Sequence, residues 1–244
     1  MKHRFRFFGE RKAEGLWEVL PDEVFQMASV LRLKPEAAIE LADGKGFACE
    51  AAIDAISKKS VEVTVEKEWF TPKTDNPIIL AVGALKPKDF FDCLPQVVEL
   101  GVDKVLVFGQ EKVAGRRLEE KNQLKATRIM EEASKVCKRA YLPECLFFDS
   151  LLELLNEIEK KLPKENLFFG APGAPLPLGK AHSTKSPCLL VLGGELGLSQ
   201  KEVSLLKNKG FNEVSLGPHI LRAKTALVAS CAVLSFGCGI EDGD

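Results

Sequence analysis

The sequence predicts an α/β protein in two parts: a small N-terminal β-barrel, residues 1–70, and a larger domain of alternating strands and helices, residues 78–244. A change of pattern marks the division. Before it, short strands of apolar–polar alternation are broken by tight turns; after it, apolar runs alternate with stretches of helical period. Between them Thr71-Pro72-Lys73-Thr74-Asp75-Asn76-Pro77 reads as a linker, because two prolines deny a continuing helix or a central strand.

In the first part, residues 37–42 form a strand candidate, and Asp43-Gly44-Lys45-Gly46 is a turn whose glycines allow positive φ. Residues 47–55 and 61–65 continue as strands. The second of these, Val61-Glu62-Val63-Thr64-Val65, alternates as a half-buried strand does. One helix interrupts, from Asp22 to about Leu31, with Asp22 as its expected N-cap. The start is locally basic, with Lys2, His3, Arg4, Arg6, Arg11 and Lys12; it is either a solvated terminus or part of a binding patch.

In the second part, strands are expected at residues 78–82, 104–108, 146–148, 167–170, 189–192 and 213–216. Helices are expected at 89–100, 119–140, 151–162, 200–209 and 224–236. Such alternation predicts a mainly parallel sheet covered on both faces, and ligands of such sheets bind at the carboxyl ends of the strands.

Composition excludes several classes. Basic and acidic residues number 34 and 35, so any nucleic-acid surface has to be a local patch. No apolar run is long enough to span a bilayer, and the N-terminus lacks a signal-peptide pattern, so the expected location is cytoplasmic with no membrane partner. Seven cysteines, odd in number and mostly in apolar segments, fit reduced buried thiols. Without a Cys-x-x-Cys, and with three scattered histidines, no metal site is expected.

Two C-terminal runs stand out. In the first, Leu189-Leu190-Val191-Leu192-Gly193-Gly194-Glu195-Leu196-Gly197-Leu198-Ser199, a buried strand enters a three-glycine turn and a helix starts near Ser199. Glycines let a ligand approach the backbone and leave amide hydrogens free to donate. The run is neither a Gly-x-Gly-x-x-Gly fingerprint nor a phosphate loop ending in Gly-Lys-Ser/Thr. The second run is Val214-Ser215-Leu216-Gly217-Pro218-His219-Ile220-Leu221-Arg222-Ala223-Lys224-Thr225-Ala226. Arg222 stands in its apolar part, either as a functional cation or as the partner of Glu195 or Glu213.

On the long helix, Ala126, Ile129, Met130, Ala133, Val136, Cys137 and Ala140 repeat at helical spacing as a buried stripe. Lys121, Lys125, Arg128, Lys135 and Arg139 lie on another face. That face is either an RNA phosphate track or a solvated surface balanced by Glu119, Glu120 and Glu131.

The two C-terminal runs resemble the RsmE family of SPOUT RNA methyltransferases. Its pattern is near Ile-Gly-Pro-Glu-Gly-Gly-Phe-Ser, then about fifteen residues, then Val-Ser-Leu-Gly-Pro-Arg-Ile-Leu-Arg-Thr-Glu-Thr-Ala. Residues 30–34, 43–46, 99–102 and 132–133 agree as well, with Arg139 and Pro143. The resemblance implies a PUA-like barrel that binds RNA and a SPOUT methyltransferase domain with a trefoil knot, usually a homodimer. It implies transfer of a methyl group from S-adenosyl-L-methionine to uracil N3 of 16S rRNA, in the rRNA or the small ribosomal subunit. It further implies a cofactor site formed by Leu167, Gly170, Leu192, Gly193, Glu195, Gly197, Leu216, Gly217, Ile220 and Leu221. Arg222 would be the catalytic cation, and Arg4 and Arg32 further RNA contacts.

Uracil N3 becomes a good nucleophile only when deprotonated, which spreads charge onto O2 and O4 and suits a nearby arginine. Departures from the family pattern fall on Gly194, Leu196, His219, Ala223 and Lys224, with Leu196 expected to stiffen a glycine loop and Lys224 to repel Arg222. The alternatives are therefore a divergent SPOUT paralogue that binds RNA without methylating, or one that methylates a different RNA nucleotide.

Overall fold

The computed structural model describes residues 4–110, 120–158, 166–183 and 186–236. The chain divides into two compact units: Met1–Lys73 with Glu132–Leu142, and Thr74–Glu131 with Pro143–Asp244. The sequence boundary lies near the first of these breaks, but residues 132–142 return to the N-terminal unit.

The N-terminal unit holds β1 (Arg6–Ala13), β2 (Leu16–Val19), α1 (Pro21–Phe25), β3 (Ala38–Ala42), β4 (Phe47–Ile56) and β5 (Val61–Phe70). The strands lie in the order β2-β1-β3-β4-β5, with β1 and β3 parallel and the other pairs antiparallel. Phe7, Trp17, Met27, Ile39, Leu41 and Ile53 fill the interior. The two ends of the sheet are joined through Glu68 of β5. It accepts two hydrogen bonds from Arg11, each 3.0 Å, and one from Trp17 Nε1 at 2.6 Å. The sheet is thereby nearly closed into a barrel.

The basic start is thus neither a solvated terminus nor an open patch, over its described residues. Arg4 pairs with Glu50, Arg6 with Glu40, Arg11 with Glu68, and Lys12 with Glu10 and Glu18. Lys2 and His3 lie outside the described residues. Burial pushes the Glu40 carboxyl up, but hydrogen bonds from Lys138 and Arg6 outweigh this and hold it below its ordinary value.

Asp22 is not the N-cap expected of it. Helix α1 opens on Leu20, with Pro21 in its first turn, where a preset φ and a missing N–H carry no penalty. One π-helical turn, Gln26–Val30, follows, and Arg32 ends it in the left-handed region at φ 52°.

The second unit holds β6 (Ile78–Gly83), α2 (Pro87–Glu99), β7 (Lys104–Phe108), β8 (Glu144–Phe148), α4 (Leu151–Ile158), β9 (Leu167–Gly170), α5 (Leu178–Ala181), β10 (Cys188–Leu192), α6 (Gln200–Asn208), β11 (Asn212–Val214) and α7 (Ala223–Phe236). Helix α3 (Glu120–Val136) begins in this unit and ends in the first. The strand order is β11-β9-β10-β6-β7-β8 and every pair is parallel, as the sequence predicts. The chain builds β6, β7 and β8 in one direction, then returns to the other side of β6. The carboxyl ends of β9 and β10 therefore lie at the reversal, where such sheets open a crevice.

Helix α3 corrects two expectations. Ala126, Met130 and Ala133 are buried, but Val136 is 75% exposed, because the helix ends there rather than at 140. Lys135 is buried too: its ammonium lies 2.9 Å from the Glu23 carboxylate and 2.7 Å from that of Glu132, so it is a barrel ion pair and no part of a phosphate track. Burial raises the Glu23 carboxyl against that pairing. Burial also pushes the thiols of Cys49 and Cys93 to about 11 and those of Cys145 and Cys188 to about 12, which keeps them unreactive.

Candidate active site

The first wall of the crevice is the loop after β10. Ser199 caps α6 in a reciprocal box: its hydroxyl accepts from the Glu202 N–H at 3.2 Å, and Glu202 accepts from the Ser199 N–H at 2.6 Å. Within the loop, Gly197 N–H donates to the Gly194 carbonyl at 3.0 Å, and Gly197 sits at φ 67°. Leu196 is not among the positive-φ residues, so a side chain is accommodated there without backbone strain, and it exposes 60% of its surface. A Cβ on Gly193 would collide with the Gly197 backbone, and one on Gly194 would stand 2.6 Å from Gln110 Oε1.

Gln110, which follows β7, was not legible as a site residue. It is buried, accepts from the Gly194 N–H at 2.9 Å, and donates to the Gly197 carbonyl at 3.0 Å and to the Glu202 carboxylate at 3.2 Å. A lone glutamine after a strand carries no sequence signal when its partners are more than eighty residues away.

The second wall follows β11. Gly217 turns the chain at φ 127°, and His219, Ile220 and Arg222 are exposed, Ile220 by 83%. Neither proposed partner of Arg222 holds it. Glu213 pairs with Lys207 at 2.8 Å, and Glu195 accepts from the Lys86 backbone N–H at 3.2 Å with the Lys86 ammonium at 3.5 Å. Among the described residues Arg222 has no ion pair. Lys224 lies 3.2 Å from Asp89, so its charge is answered there rather than left to repel Arg222.

Together these walls and the end of β9 enclose a cavity of about 430 Å³. It brings together Gly170, Leu192, Gly193, Glu195 and Gly197 with Leu216, Gly217, Ile220, Leu221 and Arg222. Leu167 is the exception: it is 8% exposed and packs in the sheet core three residues before Gly170, so only the strand's end reaches the cavity. A second recess of about 330 Å³, lined by Lys86, Asp89 and Lys224 among others, shares Glu195, Arg222 and Ala223 with the first.

The residues expected to touch RNA differ in how they are held. Arg4 is paired, Lys135 is buried, and Arg139 donates to the Tyr141 carbonyl at 3.3 Å beyond the helix end. Arg32 and Arg128 are exposed, and the Lys125 ammonium lies 4.2 Å from the centre of the Phe91 ring. The side chain of Lys121 lies outside the described residues. Among the described residues no cluster of histidine, cysteine, aspartate or glutamate is set to hold a metal, and no helix is long and apolar enough to cross a membrane.

Residues 72–235 match the profile of the RNA methyltransferase domain, and residues 22–66 match that of the RNA methyltransferase PUA domain. The chain belongs to the RNA methyltransferase family. This RNA methyltransferase is similar to ribosomal RNA small subunit methyltransferase E of Bacillus subtilis, with 25% identity over 93% of each chain. It is also similar to the protein of that name from Aquifex aeolicus, with 29% identity over 79% of this chain and 82% of that one. Its fold superposes on a crystal structure of ribosomal RNA small subunit methyltransferase E from Neisseria gonorrhoeae bound to S-adenosyl methionine, with a TM-score of 0.82 and 26% identity, covering 96% of this chain and 98% of that one. The two-part α/β architecture expected from the sequence is the family's.

Proposed function

We propose that this RNA methyltransferase transfers a methyl group from S-adenosylmethionine to N3 of a uridine in 16S rRNA. The observation that carries the reading is the cavity at the strand ends, where two glycine turns and an unpaired arginine meet. Its volume of about 430 Å³ falls within the usual range for small-molecule sites, and its lining suits an adenosyl group. Gly193 has no room for a Cβ against the Gly197 backbone, one on Gly170 would displace the end of the Leu192 side chain, and Leu192, Leu196, Leu216 and Ile220 offer apolar surface. The family relatives named for ribosomal RNA methylation, and the neighbour bound to S-adenosyl methionine, support the same ligand.

When bound, S-adenosylmethionine supplies an electrophilic methyl group on a sulfonium. The chain's part is to hold the base and manage its charge. The smaller recess is suited to the base because it shares Glu195, Arg222 and Ala223 with the cavity. Arg222, with no acidic partner among the described residues, is placed to meet negative charge on O2 or O4 once N3 loses its proton. Asp89 and Glu195 line the same recess and are the carboxylates at hand to take that proton.

Exposed Arg32, Lys125 and Arg128 are the basic groups we assign to RNA. The position of β10 between β6 and β9, with α7 against β6 and β10, supports a trefoil knot. Half-buried Val228, Ala232 and Val233, with Phe236 78% exposed, support a homodimer through α7. A cytoplasmic location follows from the ribosomal substrate.

Titration with S-adenosylhomocysteine followed by mass analysis of treated small subunits tests the reading. Saturable binding and cofactor-dependent N3-methyluridine are expected. Absence of binding removes the enzyme assignment, and a mark on another atom removes the substrate assignment.

A further inference from the structure

We infer that Gln110 is the positioning residue of the cofactor loop, holding Gly193–Gly197 in its binding shape before the ligand arrives. This rests on the reading that the cavity takes S-adenosylmethionine. Gln110 does not line the cavity, so it acts through the loop and not by contact. It reaches the loop from β7 past Gly83 of the intervening strand β6, where a Cβ would collide with the Gln110 amide and stand 2.6 Å from the Gly194 nitrogen.

The requirement is for an amide specifically. The Gly194 N–H can only donate, whereas the Gly197 carbonyl and the Glu202 carboxylate can only accept. Gln110 answers both kinds: Oε1 takes the Gly194 hydrogen, and Nε2 gives to Gly197 and Glu202. The two ends of the turn are therefore clamped by one side chain. Glu202 connects that clamp to the start of α6, because it also accepts from the Ser199 N–H. A proline at position 194 would have no hydrogen to give, so glycine there and glutamine at 110 depend on each other. A loop fixed in advance loses less freedom on binding, which raises affinity without a new contact.

The test is calorimetric titration of S-adenosylhomocysteine into the full chain and two variants. Gln110→Glu sets a carboxylate against the Glu202 carboxylate and the Gly197 carbonyl. Its affinity is expected to fall about tenfold or more at pH 8 and to recover relative to the parent as protonation restores a donor at lower pH. Gln110→Glu with Glu202→Gln restores a donor opposite the new carboxylate and is expected to regain part of the loss. Affinity for rRNA should be unchanged in both.

Parent protein that binds no S-adenosylhomocysteine would overturn the cavity reading itself. Parent binding with Gln110→Glu equally tight at every pH overturns the positioning role alone. A pH-independent loss without rescue in the double variant also overturns it, in favour of a purely structural role. If thermal unfolding finds Gln110→Glu unfolded, the double variant decides: folded with near-parent affinity supports the clamp, and folded without binding, or unfolded, overturns it.

Discussion

The two loops that wall the cavity are held in different ways. The Gly193–Gly197 turn is fixed from behind by buried hydrogen bonds to Gln110 and by Gly193 and Gly194, which have no space for a side chain. The Gly217–Arg222 segment has open space around Gly217 and exposes His219, Ile220 and Arg222. One wall is preorganised for a ligand of constant shape; the other has side chains free to settle on what enters. That division suits a site with one invariant ligand and one that arrives as part of a large RNA.

Four experiments break or sharpen this contrast. The largest effect is expected from Arg222→Ala, which should lower kcat by about a hundredfold or more and leave the melting temperature unchanged, since an exposed unpaired side chain contributes little to folding. A large drop in stability would show that the exposed wall is structural after all. Next is Gly193→Ala, where the new Cβ meets backbone on the rigid wall. A destabilisation of about 1–3 kcal/mol is expected in chemical denaturation, with loss of S-adenosylhomocysteine binding. Gly197→Ala has open space and only its positive φ to resist, so about 1 kcal/mol is expected there; equal costs at the two glycines would erase the distinction.

The smallest effect is a reference that neither loop should move. Glu40 in the barrel has a lowered folded value, so its contribution is present above 4.5, the ordinary carboxylate value, and is lost as pH falls through the folded one. Glu23, whose value is raised, acts with the opposite sign and favours the folded state less as it ionises. Acid unfolding followed by the fluorescence of Trp17 and Trp69 should be the same in the loop variants and should shift to higher pH in Lys138→Ala.

What the sequence made legible follows from the range of each interaction. Strands such as β7 and β9 are apolar runs between breaks, and their local pattern is enough to locate them. Strands β1 and β2 were obscured because Arg6, Arg11 and Lys12 look like a solvated start until Glu40, Glu68 and Glu18 are brought beside them. Lys135 failed in the same way: helical spacing put it on a basic face, and only the fold supplies Glu23, 112 residues away, to bury it. The cavity was legible because most of its residues sit in two contiguous runs with unusual glycine content. Gln110 was not, because its meaning lies in the pairing of one amide with a turn from another part of the chain. Leu167 was assigned one turn of reasoning too far, since a strand that ends at a cavity still buries its beginning.

Ile220 and Leu196 carry a consequence for calorimetry. Both are large apolar side chains standing largely in water on opposite walls of the cavity. Water ordered around such groups gives the free protein an excess heat capacity, which is lost when the groups are covered. A ligand that fills the cavity should therefore bind with a negative heat-capacity change. Replacing Ile220 by serine should make that change smaller while leaving the sheet beneath it intact, so the temperature dependence of the binding heat measures how far the open wall closes.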